Sequence, residues 1–113
     1  LVLVGRSKDL IITGGYNVYP KEVEALLDEQ PEVEESAVVG IPHPDFGEAV
    51  VAEVVLKRGA DIQPVALIAR LKTLLAGFKV PKQISIVPSL PRNVMGKVQK
   101  NLIRDRLSTR LPS

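Results

Sequence analysis

The sequence predicts an α+β fold, a small three-stranded sheet flanked by helices with an N-terminal β-hairpin, and three observations predict it. Short β-branched runs at residues 36–41, 49–56 and 84–87 read as core strands. Apolar residues recur at i, i+3 and i+4 in the segments between them. Pro20 and Pro64 stand where a helix tolerates proline, at its first turn.

Each element follows from local chemistry. Leu1-Val2-Leu3-Val4 and residues 10–13 are apolar runs on either side of a polar turn that begins at Gly5, which reads as a hairpin. Pro20 has its φ preset for a helix and lacks only an N–H that no helix start needs. Val23, Leu26 and Leu27 then line one face, and Pro31 blocks continuation. Residues 36–41 form a buried-type strand closed by the turn Pro42-His43-Pro44-Asp45. Residues 49–56, nearly continuous in Val and Ala, form a second, ended by Lys57-Arg58-Gly59-Ala60-Asp61. Pro64 opens the longest helix, where Leu67, Ile68, Leu71, Leu74 and Leu75 keep helical spacing and Gly77 supplies the stop. Residues 84–87 make the third core strand, a loop spans 88–96, and residues 100–107 form a last short helix. No internal repeat or low-complexity segment interrupts this order.

A chain of 113 residues, 45% of them hydrophobic, suits a single domain. A domain of this size buries roughly 65% of its unfolded surface, which builds one core and leaves little room for a deep catalytic cavity. Its 15 Lys and Arg against 13 Asp and Glu leave a formal charge of +2. That is a solvated surface and not the field of a nucleic-acid binder, so no nucleic-acid partner is expected. With no cysteine and one histidine, disulfides, thiolate metal sites and a cysteine nucleophile are excluded, and no metal site is expected. No apolar run approaches the ~18 residues of a membrane span, and no charged-then-apolar leader opens the chain. A cytoplasmic location is therefore expected. The start on Leu1, inside a strand-like run and without methionine, reads as a cut made within a larger polypeptide.

Two loops offer chemistry. Gly14-Gly15 follows an apolar run and precedes Tyr16-Asn17, so the backbone there can turn sharply, reach positive φ and set amides or bare Cα atoms against a ligand. The same pair also reads as a turn that only links strand to helix. The GxxxxGK[ST] spacing of a phosphate loop is absent. Lys97 follows Gly96 on a loop that leads into a basic amphipathic helix. Its ammonium is a compact charge able to neutralise a carboxylate attacking phosphorus, or a phosphoryl oxygen gaining charge. At ~4 Å and an effective dielectric near 20, that contact is worth roughly 4 kcal/mol before desolvation is subtracted. A solvated lysine near a helix start would have the same spacing. His43, between two prolines, reads as a turn residue, and Glu48 and Arg92 as residues serving the fold or a domain interface.

Longer motifs add to this. Gly5-Arg6-x-x-Asp9-x-Ile11-x-x-x-Gly15-x-x-Val18-x-x-x-Glu22-Val23-Glu24 is similar to the hinge and pantetheine-tunnel motif of the adenylate-forming superfamily of acyl-CoA synthetases, luciferases and peptide-synthetase adenylation domains. Leu90-Pro91-Arg92-Asn93-x-x-Gly96-Lys97-Val98 resembles its catalytic-lysine motif. Between them, Ala37-Val38-Val39-Gly40-Ile41-Pro42-x-x-x-x-Gly47-Glu48 is similar to the family's middle block, and Phe78-Lys79-Val80-Pro81 to the stretch before the third strand. The likeness runs from Val4 to about Leu107, in the family's order. The wording of Tyr16-Asn17-Val18-Tyr19-Pro20 and Met95-Gly96-Lys97-Val98-Gln99-Lys100 is nearest to malonyl-CoA synthetases.

The resemblance implies that residues 1–113 are a single C-terminal lid domain of a larger ligase, with a hinge near residues 6–9. It implies a two-step reaction in which a carboxylate attacks the α-phosphate of ATP, giving an acyl adenylate and pyrophosphate, and CoA thiol then displaces AMP. The partner is the large N-terminal domain of the same polypeptide, which holds ATP, Mg2+ and acid while the small domain rotates between the steps. Lys97 matches the catalytic lysine of adenylation, Lys8 the hinge position, and Arg6 and Asp9 the neighbours that steady it. Gly14, Gly15, Tyr16 and Asn17 would face CoA, and Lys79 and Lys82 its phosphates. Lys97 also matches the acetylation site of bacterial acyl-CoA synthetases, which adds a lysine acetyltransferase to the expected partners. The family's ATP-binding Ser/Thr/Gly-rich loop, acyl pocket and ribose-holding aspartate are not among these residues. The chain alone is therefore expected to be inactive and to bind no ligand tightly, and malonate, other short acids, aryl acids and fatty acids all stay open. The competing class is a freestanding nucleotide-binding or interaction module without catalysis, which explains the short length but leaves the paired motifs unexplained. Such a module would bind nucleotide saturably by itself, and a lid only weakly.

Overall fold

Proline starts the first two helices. In the computed structural model, which describes residues 10–110, the order is β1 (Ile11–Thr13), β2 (Tyr16–Val18), α1 (Pro20–Asp28), β3 (Val33–His43), β4 (Gly47–Leu56), α2 (Pro64–Lys72), a 3-10 turn at Gly77–Lys79, β5 (Gln83–Ile86) and α3 (Lys100–Arg110). Neither Tyr19 nor Gln63, the residues before the two prolines, caps its helix with a side chain. Their extended backbones, with ψ of 115° and 148°, are what a following proline imposes.

The three-stranded sheet has the order β3-β4-β5. β3 and β4 are antiparallel, with Val38 opposite Ala52 and Ile41 opposite Ala49, whereas β5 returns parallel to β4 after the α2 crossover, with Ile84 opposite Ala52. Alternate residues of these strands feed two separate cores. Val38, Val50, Ala52, Val54 and Ile84 pack under Val23 and Leu27 of α1, Leu67 and Leu71 of α2, and Ile11 and Val18 of the hairpin. Ala37, Val39, Ile41, Ala49 and Val51 pack under Ile103 and Leu107 of α3 and under Leu90. With both faces covered, β3 and β4 read as continuous apolar runs and not as alternating ones.

The exposed edge of β3 is clipped. Glu24 of α1 accepts the Val38 N–H at 2.8 Å and pairs with the Lys100 ammonium of α3 at 2.8 Å. One carboxylate thereby satisfies an edge amide and links the helices of the two cores.

The expected pairing of residues 10–13 with residues 1–4, and the hinge positions Arg6, Lys8 and Asp9, lie outside the described residues; within them β1 forms a hairpin with β2 across Gly14 and Gly15. Two expectations are adjusted. β3 runs on through Pro42 and His43, which stand opposite Glu48 and Gly47, because an edge strand loses nothing to the sheet from a missing proline N–H. α2 stops at Lys72, before Leu74 and Leu75: the Thr73 hydroxyl donates to the Arg70 carbonyl at 2.7 Å, and the Leu74 and Leu75 amides both turn onto the Leu71 carbonyl at 2.9 Å. Among the described residues no helix is long and apolar enough to cross a membrane.

Candidate functional site

Lys97 stands on a small hydrogen-bonded ribbon. Asn93-Val94-Met95-Gly96 forms the turn, closed by the Gly96 N–H on the Asn93 carbonyl at 2.9 Å. Gly96 has φ +84°, a conformation that costs a residue with a Cβ on the order of 1 kcal/mol or more. The Asn93 side-chain oxygen accepts from the amides of Met95 at 2.9 Å and Lys97 at 3.0 Å, and the Asn93 N–H donates to the Lys97 carbonyl at 3.0 Å. Behind the turn, Arg92 and Val98 form an antiparallel bridge and the Gln99 N–H reaches the Pro91 carbonyl at 2.8 Å. Buried Leu90 on one side, and Ile103 and Leu107 of α3 on the other, tie both ends to the second core.

The side chains at the tip point outward. Lys97 is exposed, and its ammonium has no partner among the described residues. Val94 and Met95 are 104% and 81% exposed. The result is a hydrogen-bonded turn carrying an exposed cation.

The second loop is the β1–β2 turn. Gly14 and Gly15 have φ of +57° and +85°, as a two-residue hairpin turn requires, and a Cβ added at either would meet nothing within 4 Å. The hairpin is held down by Gly14 N–H on the Phe46 carbonyl at 2.8 Å and Ile12 N–H on a Glu48 carboxylate oxygen at 2.8 Å. Glu48 thus serves the fold, and Gly40 beneath leaves space for Ile11, whose Cγ2 lies 2.9 Å from where a Cβ would stand. Beside the turn a depression of about 180 Å3 is lined by Thr13, Gly14, Tyr16, Phe46, Phe78 and Lys82. Tyr16 stacks on Phe78 at 4.5 Å between ring centres, and the Lys82 ammonium lies 4.7 Å over the Phe46 ring.

Of the residues singled out by sequence, Gly14, Gly15, Tyr16 and Asn17 share this turn. Lys79 is held at 3.0 Å by Glu22, leaving Lys82 as the lysine that lines the depression. His43 accepts the Asp45 N–H at 3.0 Å and stacks on Phe46 at 4.4 Å, the role of a turn residue. Phe46 and Phe78 were not singled out as site residues; their signal was that the chain has two phenylalanines and neither occupies a periodic core position. The hairpin packs in the first core and the Lys97 ribbon in the second, so the two loops belong to opposite faces of the sheet. Away from both, the Arg70 guanidinium hydrogen-bonds Glu32 at 2.7 and 3.1 Å and holds its carboxyl below the usual range.

The depression is smaller than the roughly 300–1,000 Å3 that encloses a small molecule. Residues 22–97 match the family described as the AMP-binding enzyme C-terminal domain, and the chain belongs to that family. It is 47% identical over 103 residues to the 3-[(3aS,4S,7aS)-7a-methyl-1,5-dioxo-octahydro-1H-inden-4-yl]propanoyl:CoA ligase of Rhodococcus jostii, covering 91% of this chain and 20% of that one. It is 43% identical over 108 residues to the 2-succinylbenzoate–CoA ligase of Listeria monocytogenes, covering 96% of this chain and 23% of the relative. ATP-bound MatB of Rhodopseudomonas palustris superimposes with a TM-score of 0.86 at 53% identity, over 90% of this chain and 20% of MatB. The chain thus spans about a fifth of the length of the relatives it matches.

Proposed function

We propose that this chain is the mobile C-terminal domain of an ATP-dependent carboxylic acid:CoA ligase, supplying the adenylation lysine and part of the CoA tunnel. The observation that carries this reading is the placement of Lys97 and the Gly14-Gly15 turn on opposite faces of one sheet. Two loops so placed cannot face a single active site together, and a domain that rotates between two steps uses each in turn. In the first step a carboxylate oxygen bonds to the α-phosphorus of ATP and pyrophosphate leaves; the Lys97 ammonium offsets the negative charge that gathers there. In the second the CoA thiolate attacks the acyl carbon and AMP leaves. The pantetheine arm would then pass the bare Cα atoms of Gly14 and Gly15, with Tyr16, Asn17, Phe78 and Lys82 beside the nucleotide end.

Relatives that share this domain at 47% and 43% identity are named for a ring-fused propanoate and for 2-succinylbenzoate. A part common to such different acids acts on what the reactions share, namely ATP and CoA. Among the described residues no three His, Cys, Asp or Glu side chains converge on one point; in this proposal Mg2+ arrives with ATP. Hinge action at Arg6, Lys8 and Asp9 belongs to the same proposal. Acetylation of exposed Lys97 by a lysine acetyltransferase would remove the charge the first step uses. Peptide mass spectrometry of the cellular protein tests this, and unmodified Lys97 under acetylating conditions counts against it.

The overall reading is tested by incubating the full-length polypeptide with ATP, CoA and a panel of carboxylic acids. AMP, pyrophosphate and an acyl thioester are expected together. Release of ADP and phosphate, or AMP formation with no dependence on acid, contradicts it.

A further inference from the structure

We propose that Arg92 is a positioning residue for Lys97, supported by Glu35; the proposal rests on the assignment of Lys97 to the adenylation step. The peptide unit joining Gly96 to Lys97 is held from both sides. Its N–H is taken by Asn93 Oδ1 at 3.0 Å, and its carbonyl accepts from Arg92 Nη1 at 2.8 Å. Gly96, at φ +84°, has no side chain to hinder rotation about its Cα–C bond, so these contacts orient the peptide that follows it. The second Arg92 nitrogen, Nη2, is bound by the Glu35 carboxylate of β3, which anchors the guanidinium to the sheet.

Glu35 reaches this position by strand alternation with Ala37 and Val39. The β3–β4 register shifts between Val33 and Glu35. Val33 packs in the hairpin-side core, whereas Ala37 and Val39 pack in the core beneath α3. An unbroken strand would place residues 33, 35, 37 and 39 on one face; the extra residue turns Val33 to the other, while Glu35 keeps the face of Ala37 and Val39, the side of the Lys97 ribbon. Arg92 is 42% and Glu35 32% exposed at the side chain. A pair so open to water contributes little to stability, yet its geometry converges on the one peptide that carries Lys97. A guanidinium has the fork to hold Gly96 and Glu35 together, whereas an ammonium serves them only as a point charge.

The test uses the full-length polypeptide and separates the half-reactions: acid-dependent ATP–pyrophosphate exchange for adenylation, and thioester formation from supplied acyl adenylate and CoA. Arg92→Ala is expected to lower kcat of the exchange about 10- to 100-fold, the scale of a small misplacement of a reacting group. The KM values for ATP and acid, and the rate from supplied adenylate, should stay near wild type. Arg92→Lys should recover part of the loss, and Glu35→Gln should show a smaller loss in the same direction. In a Lys97→Ala background, Arg92→Ala should add nothing. Equal loss in both half-reactions, an unchanged exchange rate, or losses that multiply with Lys97→Ala overturn the proposal. If Lys97→Ala alone leaves exchange intact, the underlying assignment fails and this one with it.

Discussion

Asn93 and Lys97 hold each other through two hydrogen bonds: the Asn93 N–H donates to the Lys97 carbonyl and the Lys97 N–H donates to Asn93 Oδ1, each at 3.0 Å. A further bond from Met95 N–H to the same side-chain oxygen makes Asn93 the residue around which the tip is wound. Asn93→Asp keeps an acceptor in place and should preserve the turn. Asn93→Ala leaves two amides without a protein partner, a loss of about 1–2 kcal/mol of local order. Amide exchange at Lys97 reads this directly: protection should survive in the aspartate variant and fall in the alanine variant. Equal protection in both would show that Asn93 is not the organiser.

Gly15 allows the second step to be probed apart from the first. Because an added Cβ meets nothing within 4 Å, a side chain there starts into open space, and the backbone cost is the φ of +85°. Asparagine tolerates that region and tryptophan does not evade it, so comparing Gly15→Asn with Gly15→Trp separates strain from obstruction. Gly15→Trp should block thioester formation and leave ATP–pyrophosphate exchange within a few-fold of wild type. Parallel loss of both activities would remove Gly15 from the CoA path.

Gly40 has a structural task. A methyl group there would stand 2.9 Å from Ile11 Cγ2 and 3.1 Å from Glu48 Oε2, and Ile11 is buried at 2%. Gly40→Ala should therefore lift the hairpin, with a cost of about 1–3 kcal/mol typical of overpacking. Urea denaturation should show the loss, and the Ile12 amide, bonded to Glu48, should exchange faster. An unchanged midpoint would mean that the hairpin relaxes without leaving its seat.

Glu32 gives an acid limb to stability. The Arg70 guanidinium lowers its carboxyl below the ordinary value near 4.3, so the folded state binds that proton less readily than the unfolded one. The pair's contribution is then fully present above the ordinary carboxylate range and is lost as pH falls through the lowered value. Midpoints of denaturation from pH 6 down to 3 should fall less steeply for Glu32→Gln than for wild type. Superimposable slopes would show that the pair has no net weight in water.

Much of this was legible in particular residues. Pro20 and Pro64 announce helix starts because their chemistry is local, and the helices begin on those residues. The apolar runs of β3 and β4 announce burial, but the pairing of β5 parallel to β4 depends on the α2 crossover, which no short spacing encodes. Leu74 and Leu75 kept helical period, yet α2 ends before them at a Thr73 hydroxyl bond, a three-residue interaction that periodicity does not register. The bulge that turns Val33 off the face shared by Glu35, Ala37 and Val39 is a register effect between two strands and has no mark in either alone. Lys97 itself was visible from its motif; that its peptide is gripped from both sides was not, because the grip is made by side chains on Arg92 and Asn93 that also suit an ordinary turn.

The most direct measurement is acid-dependent ATP–pyrophosphate exchange by the Lys97→Ala variant of the full-length polypeptide, run beside thioester formation from supplied acyl adenylate and CoA. Loss of a single electrostatic donor to a developing charge costs on the order of 10²- to 10³-fold. The account predicts that loss in exchange, with the supplied adenylate still converted at close to the wild-type rate. Exchange at the wild-type rate, or equal loss in both reactions, contradicts it.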